Sequence, residues 1–289
     1  MKGKSWGWIE ENKERIIELS DTVWEYAELG LVEERSSKLL SDELEGHGFS
    51  VEMGVAGMPT AFVATWSDGA SPTIGLIGEF DALPGLSNGK VPRKEPLRAG
   101  SPARARIPSK ILSGVVTANM RAVGAPSYTR DELAFATEIA KSFPREQKVD
   151  SLRKLKLPNY ERYLDVDLVR DILDPWNEGE VSGSSTDVAD VSWQIPTMEF
   201  GTAALVIGAP GHSWQTVACS GTSLGHKSLI FAAKTMAGSV LDLLTKSELL
   251  ENAKEEHASK MQGRTYRCAI PDEIGPPIEV ARIAAAKLG

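Results

Sequence analysis

The sequence predicts an α/β fold with helices on both faces of a mixed, mostly parallel sheet. Three observations point there. Segments with apolar residues three and four apart alternate with short apolar runs. The run Thr73-Ile74-Gly75-Leu76-Ile77-Gly78 is nearly continuously apolar, which suits a strand covered on both sides. Asp81 and His212 each fall just past a strand candidate, where open α/β sheets hold their ligands. The 289 residues, 42% hydrophobic, suffice for a large core. They are expected to form a single α/β domain over 1–289, interrupted at 89–110 by a basic, Pro-rich junction.

Residues 5–19 predict an amphipathic helix carrying Trp8, Ile9, Ile16, Ile17 and Leu19. Ser20 and Asp21 are candidate caps for a second helix with Val23, Trp24 and Ala27. A third spans about 33–45, buries Leu39, Leu40 and Leu44, and stops at Gly46-His47-Gly48. Strands are expected at 50–53, 61–66 and 73–78, and later at 196–200 and 203–207. Helical pattern returns over 111–123 and over 129–143, the latter capped by Thr129. The stretch 148–180 is mixed and charged. A long, apolar helix is expected over 224–244 and a more exposed one over 248–261, followed by an irregular tail.

The formal net charge is −8, and an acidic chain repels polyphosphate, which argues against nucleic acid as a partner. The junction runs against that balance: Lys90, Arg93, Lys94, Arg98, Arg104, Arg106 and Lys110 face only Glu95. It is expected to be a solvated, structureless connector. Two cysteines make no disulfide framework and fit a reducing compartment. The first residues do not resemble a signal peptide, and no apolar run is expected to span a membrane. A cytoplasmic location is therefore expected.

Four residues are candidates for chemistry. Asp81 can orient a metal-bound imidazole from behind, or simply close a turn. His212, in a Gly-His-Ser turn, can ligate zinc through one ring nitrogen, or be an ordinary loop histidine. Asp187 and Asp190 lie three apart in a Ser/Thr-rich turn; they can face one site or cap the helix carrying Val191 and Trp193. Glu79 and Asp81 flank Phe80 and so would share one side of a strand. His226 is expected to cap or pack, while His47 and His257 are expected at the surface. There is no P-loop or G-x-G-x-x-G.

Several runs resemble the M20 metallopeptidase and amidohydrolase family, in particular the B-type chains of aminobenzoyl-glutamate hydrolase. They are Trp24-Glu25-Tyr26-Ala27-Glu28-Leu29-Gly30, Gly78-Glu79-Phe80-Asp81-Ala82-Leu83-Pro84, Gly124-Ala125-Pro126-Ser127-Tyr128, the run from Ser184 to Trp193, Pro210-Gly211-His212-Ser213-Trp214-Gln215 and Gly225-His226-Lys227. The resemblance implies a zinc-peptidase-like catalytic domain and a two-metal hydrolase of zinc or manganese. A bridging water would attack an amide in an N-acyl amino acid or aminobenzoyl-glutamate-like substrate. It gives His212 as the last metal ligand, Asp81 as the orienting acid, and Asp187 and Asp190 as site lining. Where the family carries a Gly-His-Gly-Cys-Gly-His-Asn run, this chain reads Ala103-Arg104-Ala105-Arg106-Ile107-Pro108. The family's Glu-Glu pair, its next His ligand and its lid domain have no counterpart. The resemblance therefore implies an internally shortened hydrolase, impaired or inactive. The alternative is a non-catalytic binding or pairing subunit that keeps the fold, as a homo-oligomer or beside a related chain.

Overall fold

A computed structural model describes residues 1–83, 92, 109–176, 188–268, 270, 271 and 273–288. Its helices in chain order are α1 (Lys2–Glu11), α2 (Lys13–Tyr26), α3 (Glu34–Gly46), α4 (Lys110–Val123), α5 (Arg130–Ala140), α6 (Arg145–Lys154), α7 (Val188–Ser192), α8 (Trp214–Ser220), α9 (Ser223–Thr245), α10 (Ser247–Met261) and α11 (Ile278–Leu288). Strands β1 (Ser50–Met53) and β2 (Phe62–Thr65) stand between α3 and α4. The described residues divide into two compact units. One holds 1–13, 92 and 109–267; the other holds 14–83 and the described part of 268–288.

In the first unit α9 is the centre, packed by α1, α4, α8 and α10. Its approach to α4 is close because position 238 is glycine: a Cβ there would lie 2.5 Å from the Asn119 Oδ1. Asn119 is fully buried, and such an amide must find partners. Its Nδ2 donates to the Val115 carbonyl at 2.9 Å and to Asp242 at 2.8 Å, and its Oδ1 accepts from the Lys2 ammonium at 2.7 Å. Lys2 and Lys246 also pair with Asp242, so three helices share one satisfied polar seam. Beside it Ala136, Ile139, Leu168, Val206, Ala218, Cys219 and Leu224 form the main apolar core. Leu152, Leu157, Tyr163 and Ile207 form a second.

The expectation that no run reaches membrane-spanning length needs correction: α9 is long and apolar enough to cross one. Its surroundings give that apolarity another use. It buries Leu224, Phe231, Thr235, Gly238 and Asp242 and packs on four neighbouring helices. Helices that are apolar nearly all round are what the middle of a helical layer requires.

In the second unit α3 packs on a two-stranded antiparallel hairpin, with Ser50 opposite Thr65 and Met53 opposite Phe62. The turn between the strands starts at Gly54, in the left-handed region at φ 74°. Buried polar bonds fix the loop to the helix. The Thr60 hydroxyl donates to the Glu33 carboxylate at 2.6 Å, and the Ser37 hydroxyl donates to the Thr60 carbonyl at 2.6 Å.

The predicted α/β fold, helices on both faces of a mixed, mostly parallel sheet, is overturned. Among the described residues the chain is mostly helical, and its one sheet is the hairpin β1-β2. The strands expected at 50–53 and 61–66 form that hairpin. Those expected at 73–78, 196–200 and 203–207 do not form. The physical reason is that a continuous apolar run becomes a strand only where neighbours complete its backbone hydrogen bonds. Val206 and Ile207 are buried in the two helical cores instead, from an irregular segment. Residues 73–78 find neither sheet nor core, and Leu76 and Ile77 stand 63% and 55% exposed. The helix expected over 5–19 breaks at Asn12 into α1 and α2, and the tail, expected to be irregular, contains α11. Apart from 92, 109 and 110, the basic junction lies outside the described residues.

Candidate metal site

His212 sits one residue ahead of the N-cap of α8, and the motif around it folds as the start of that helix. Ser213 is the N-cap: its hydroxyl accepts from the Thr216 amide and donates to the Pro210 carbonyl at 2.8 Å. The Thr216 hydroxyl donates to the same carbonyl at 2.8 Å. Gln215 is buried and reaches the Ser142 hydroxyl at 3.1 Å, while Trp214 packs against the main core. The polar neighbours that follow His212 in the motif thus serve capping and packing. The imidazole is exposed.

Asp190 lies in the first turn of α7, half-buried. Asp187 lies outside the described residues. α7 is held to α10 by His257, whose Nε2 lies 3.0 Å from the Ser192 carbonyl, so His257 is a part-buried link and not the surface residue expected. Arg264 stands over the Trp193 ring at 5.7 Å. The geometry does not bring Asp190 and His212 into one donor cluster among the described residues.

Asp81 is exposed, as is Glu79, while Phe80 turns inward to meet Phe62 with ring centroids 6.0 Å apart. That alternation is the one the spacing predicts. The next residue, Ala82, donates its amide to the Glu28 carbonyl at 2.6 Å, and Leu29 and Ala82 form an isolated parallel bridge. The Asp81 carboxylate lies over Gly30, where a Cβ would come within 3.3 Å of its Oδ2. Two of the runs singled out in the sequence, 24–30 and the described residues 78–83, therefore meet backbone to backbone.

Carboxylates that the sequence did not single out carry the strongest electrostatics. Burial alone would push the pKa of Glu132 up. Hydrogen bonds from Lys227, Ser223 and the Thr129 amide outweigh it and hold the carboxyl at about 2. Lys227 donates to Glu132 at 2.7 Å and to the Ser127 carbonyl at 2.8 Å, with its ammonium 5.6 Å from the Tyr128 ring centre. The conspicuous residues of Gly124-Ala125-Pro126-Ser127-Tyr128 and Gly225-His226-Lys227 thereby form one structural knot. Glu256 plays a similar part. Burial raises it, but Lys260, Ser109 and the amides of Lys110 and Ile111 bring it to about 2. It caps α4 from another helix, where orphan amides and the helix dipole favour an anion. In the second unit Glu28 is lowered against its burial by the Ser36 amide and hydroxyl and by Arg35. Thr129 was legible as a cap; Glu132 three residues on completes a capping box. Nothing local marks Glu256, because its partners lie far away in sequence.

A catalytic zinc takes about three protein donors and a water. Among the described residues, no three His, Cys, Asp or Glu side chains come together as such a set. The donors present do not fit the pair of ions that the resemblance implies, and we derive no step through them.

The chain thus packs together, within each unit, two of the runs singled out in its sequence: 24–30 on 78–83 in one, 124–128 on 225–227 in the other. No protein-family model matches it. Over 177 residues, 59% of its length, it is 29% identical to a protein of Escherichia coli (strain K12), the B chain of p-aminobenzoyl-glutamate hydrolase. The chain is thus related to the M20-type, aminobenzoyl-glutamate-hydrolase-like proteins. The alignment covers 37% of that relative's length.

Proposed function

We propose that this chain descends from a metal-dependent hydrolase of amide bonds in aminobenzoyl-glutamate-like or N-acyl amino acid substrates, and that it is catalytically impaired by itself. The observation that carries the reading is the donor set: His212 is one exposed imidazole without a second and third ligand among the described residues. A zinc or manganese ion, were it held, would supply Lewis acidity. Here His212 would be a ligand, Asp81 would orient, and Asp187 and Asp190 would line the pocket. A cytoplasmic location fits its two unpaired cysteines, Cys219 and Cys268.

The test is elemental analysis of the full chain after dialysis against zinc or manganese, with an assay for p-aminobenzoate release from p-aminobenzoyl-glutamate. Metal far below one ion per chain, with release at the blank rate, is expected. One or two ions per chain with turnover that His212→Ala abolishes would overturn impairment and establish the full activity.

A pairing role is favoured by one finding, that the relative is named as one subunit of its enzyme. Tagged chain mixed with the Escherichia coli relative should then retain it through gel filtration. Separate elution of the two proteins counts against that role.

A further inference from the structure

Beyond β2 the chain makes an exposed turn, Ser67-Asp68-Gly69-Ala70-Ser71. It carries the one Asp-Gly step in the sequence. Such a step can react with itself: the amide nitrogen after an aspartate attacks the side-chain carboxyl and closes a five-membered imide. A side chain on the following residue crowds that attack, and a helix holds the amide in a bond to an earlier carbonyl. Glycine removes the first obstacle and an exposed turn the second. Gly69 lies in the left-handed region at φ 85°, and a Cβ built on it would meet nothing within 4 Å.

Two hydrogen bonds prepare the groups that react. The Asp68 Oδ1 accepts from the Ala70 amide at 3.0 Å. The ring closed by that bond contains both the Asp68 Cγ and the Gly69 nitrogen, so the carboxyl is folded back along its own chain. The Ala70 amide also stabilises the charge that gathers on Oδ1 when Cγ is attacked. The Gly69 amide donates to the Ser67 hydroxyl at 2.9 Å, so an acceptor already stands on the proton that must leave. We propose that Asp68-Gly69 is a site of spontaneous isoaspartate formation, promoted by the Ser67 hydroxyl and the Ala70 amide. The Gly69 nitrogen bonds to Cγ of the protonated carboxyl, and the Cγ–Oδ2 bond breaks. Oδ2 departs as water, with its own proton and the one from Gly69. Water then opens the imide. Entry at Cγ restores aspartate; entry at the main-chain carbonyl leaves the backbone running through Cβ and Cγ, one carbon longer. That link lengthens the turn between β2 and the segment that carries Asp81.

Peptide mapping of the full chain, incubated in mildly acidic buffer, tests the proposal. The modified peptide separates from its parent at unchanged mass and resists cleavage before residue 68 by an aspartate-specific protease. Deamidation at Asn88-Gly89 changes the mass of a different peptide and is told apart by it. Isoaspartate is expected at 68 ahead of every other aspartate, at a rate no lower than in a synthetic peptide of residues 66–72. Asp68→Glu, which would need a larger ring, should abolish it. Ser67→Ala should slow it about fivefold in the folded chain, the value of one ordinary hydrogen bond, and leave the peptide unchanged. Modification of the peptide with none in the folded chain would overturn the proposal, since the fold would then protect the site. So would earlier isomerisation at another aspartate, or a folded-chain rate indifferent to Ser67→Ala.

Discussion

Two neighbouring residues, His212 and Ser213, carry opposite consequences. Resemblance marks the histidine, but the serine holds the local structure: it is buried, caps α8 and bonds to Pro210. Ser213→Ala should lower unfolding stability by about 1 kcal/mol, the usual cost of a lost N-cap. His212→Ala, at an exposed position ahead of the helix, should stay within about 0.5 kcal/mol of the parent. Urea unfolding of the two variants checks this, and a large loss at His212 would show that its ring is structural. Cys219 makes a related point. Burial pushes its thiol up to about 11, so it should resist alkylation at neutral pH while exposed Cys268 reacts.

At the scale of elements, five helices and the two strands of the hairpin were legible, and the larger sheet did not form among the described residues. Helices are written locally, in apolar spacing and caps, and α3, α4, α5, α9 and α10 start and stop near the expected residues. A strand is completed by segments elsewhere in the chain, so 73–78 and 203–207 had the composition without the partners. α11 was missed because prolines precede it and little of it is buried. Of the candidate site, the alternation of Glu79, Phe80 and Asp81 and the cap at Thr129 were legible, because both are local. The close contacts between helices were not. Gly225 shows why: a Cβ there would lie 2.1 Å from the Ser220 carbonyl oxygen, in the turn that folds α9 back on α8. Backbone cannot rotate away as a side chain can. Gly225→Ala should therefore cost more than Gly238→Ala, which meets the side chain of Asn119. We expect about 1–3 kcal/mol at position 238 and a larger loss at 225, read from thermal unfolding of both variants. An equal or reversed order would mean that the α8–α9 turn relaxes readily.

Over the first unit as a whole, the carboxylates of Asp242, Glu132 and Glu256 tie helices together by accepting several hydrogen bonds each. Burial opposes the charge in each, and the ammonium, amide and hydroxyl donors prevail, leaving all three at about 2. A folded-state pKa below the unfolded value gives stability that is fully present above the unfolded value. That stability is lost as pH falls through the window down to the folded value. For these groups the window runs from the ordinary 3.8 or 4.5 to about 2. Each contributes on the order of 3 kcal/mol at neutral pH. Unfolding free energy from urea titration should thus be flat from pH 7 to 5 and fall steeply below about 4.5. Glu132→Gln should cost stability at pH 7 and draw level with the parent near pH 2, because the parent has lost the same charge there. The general repulsion of an acidified chain acts on both proteins alike and drops out of that difference. A gap between Glu132→Gln and parent that stays constant from pH 7 to pH 3 would show that the Lys227 knot holds by packing and not by charge.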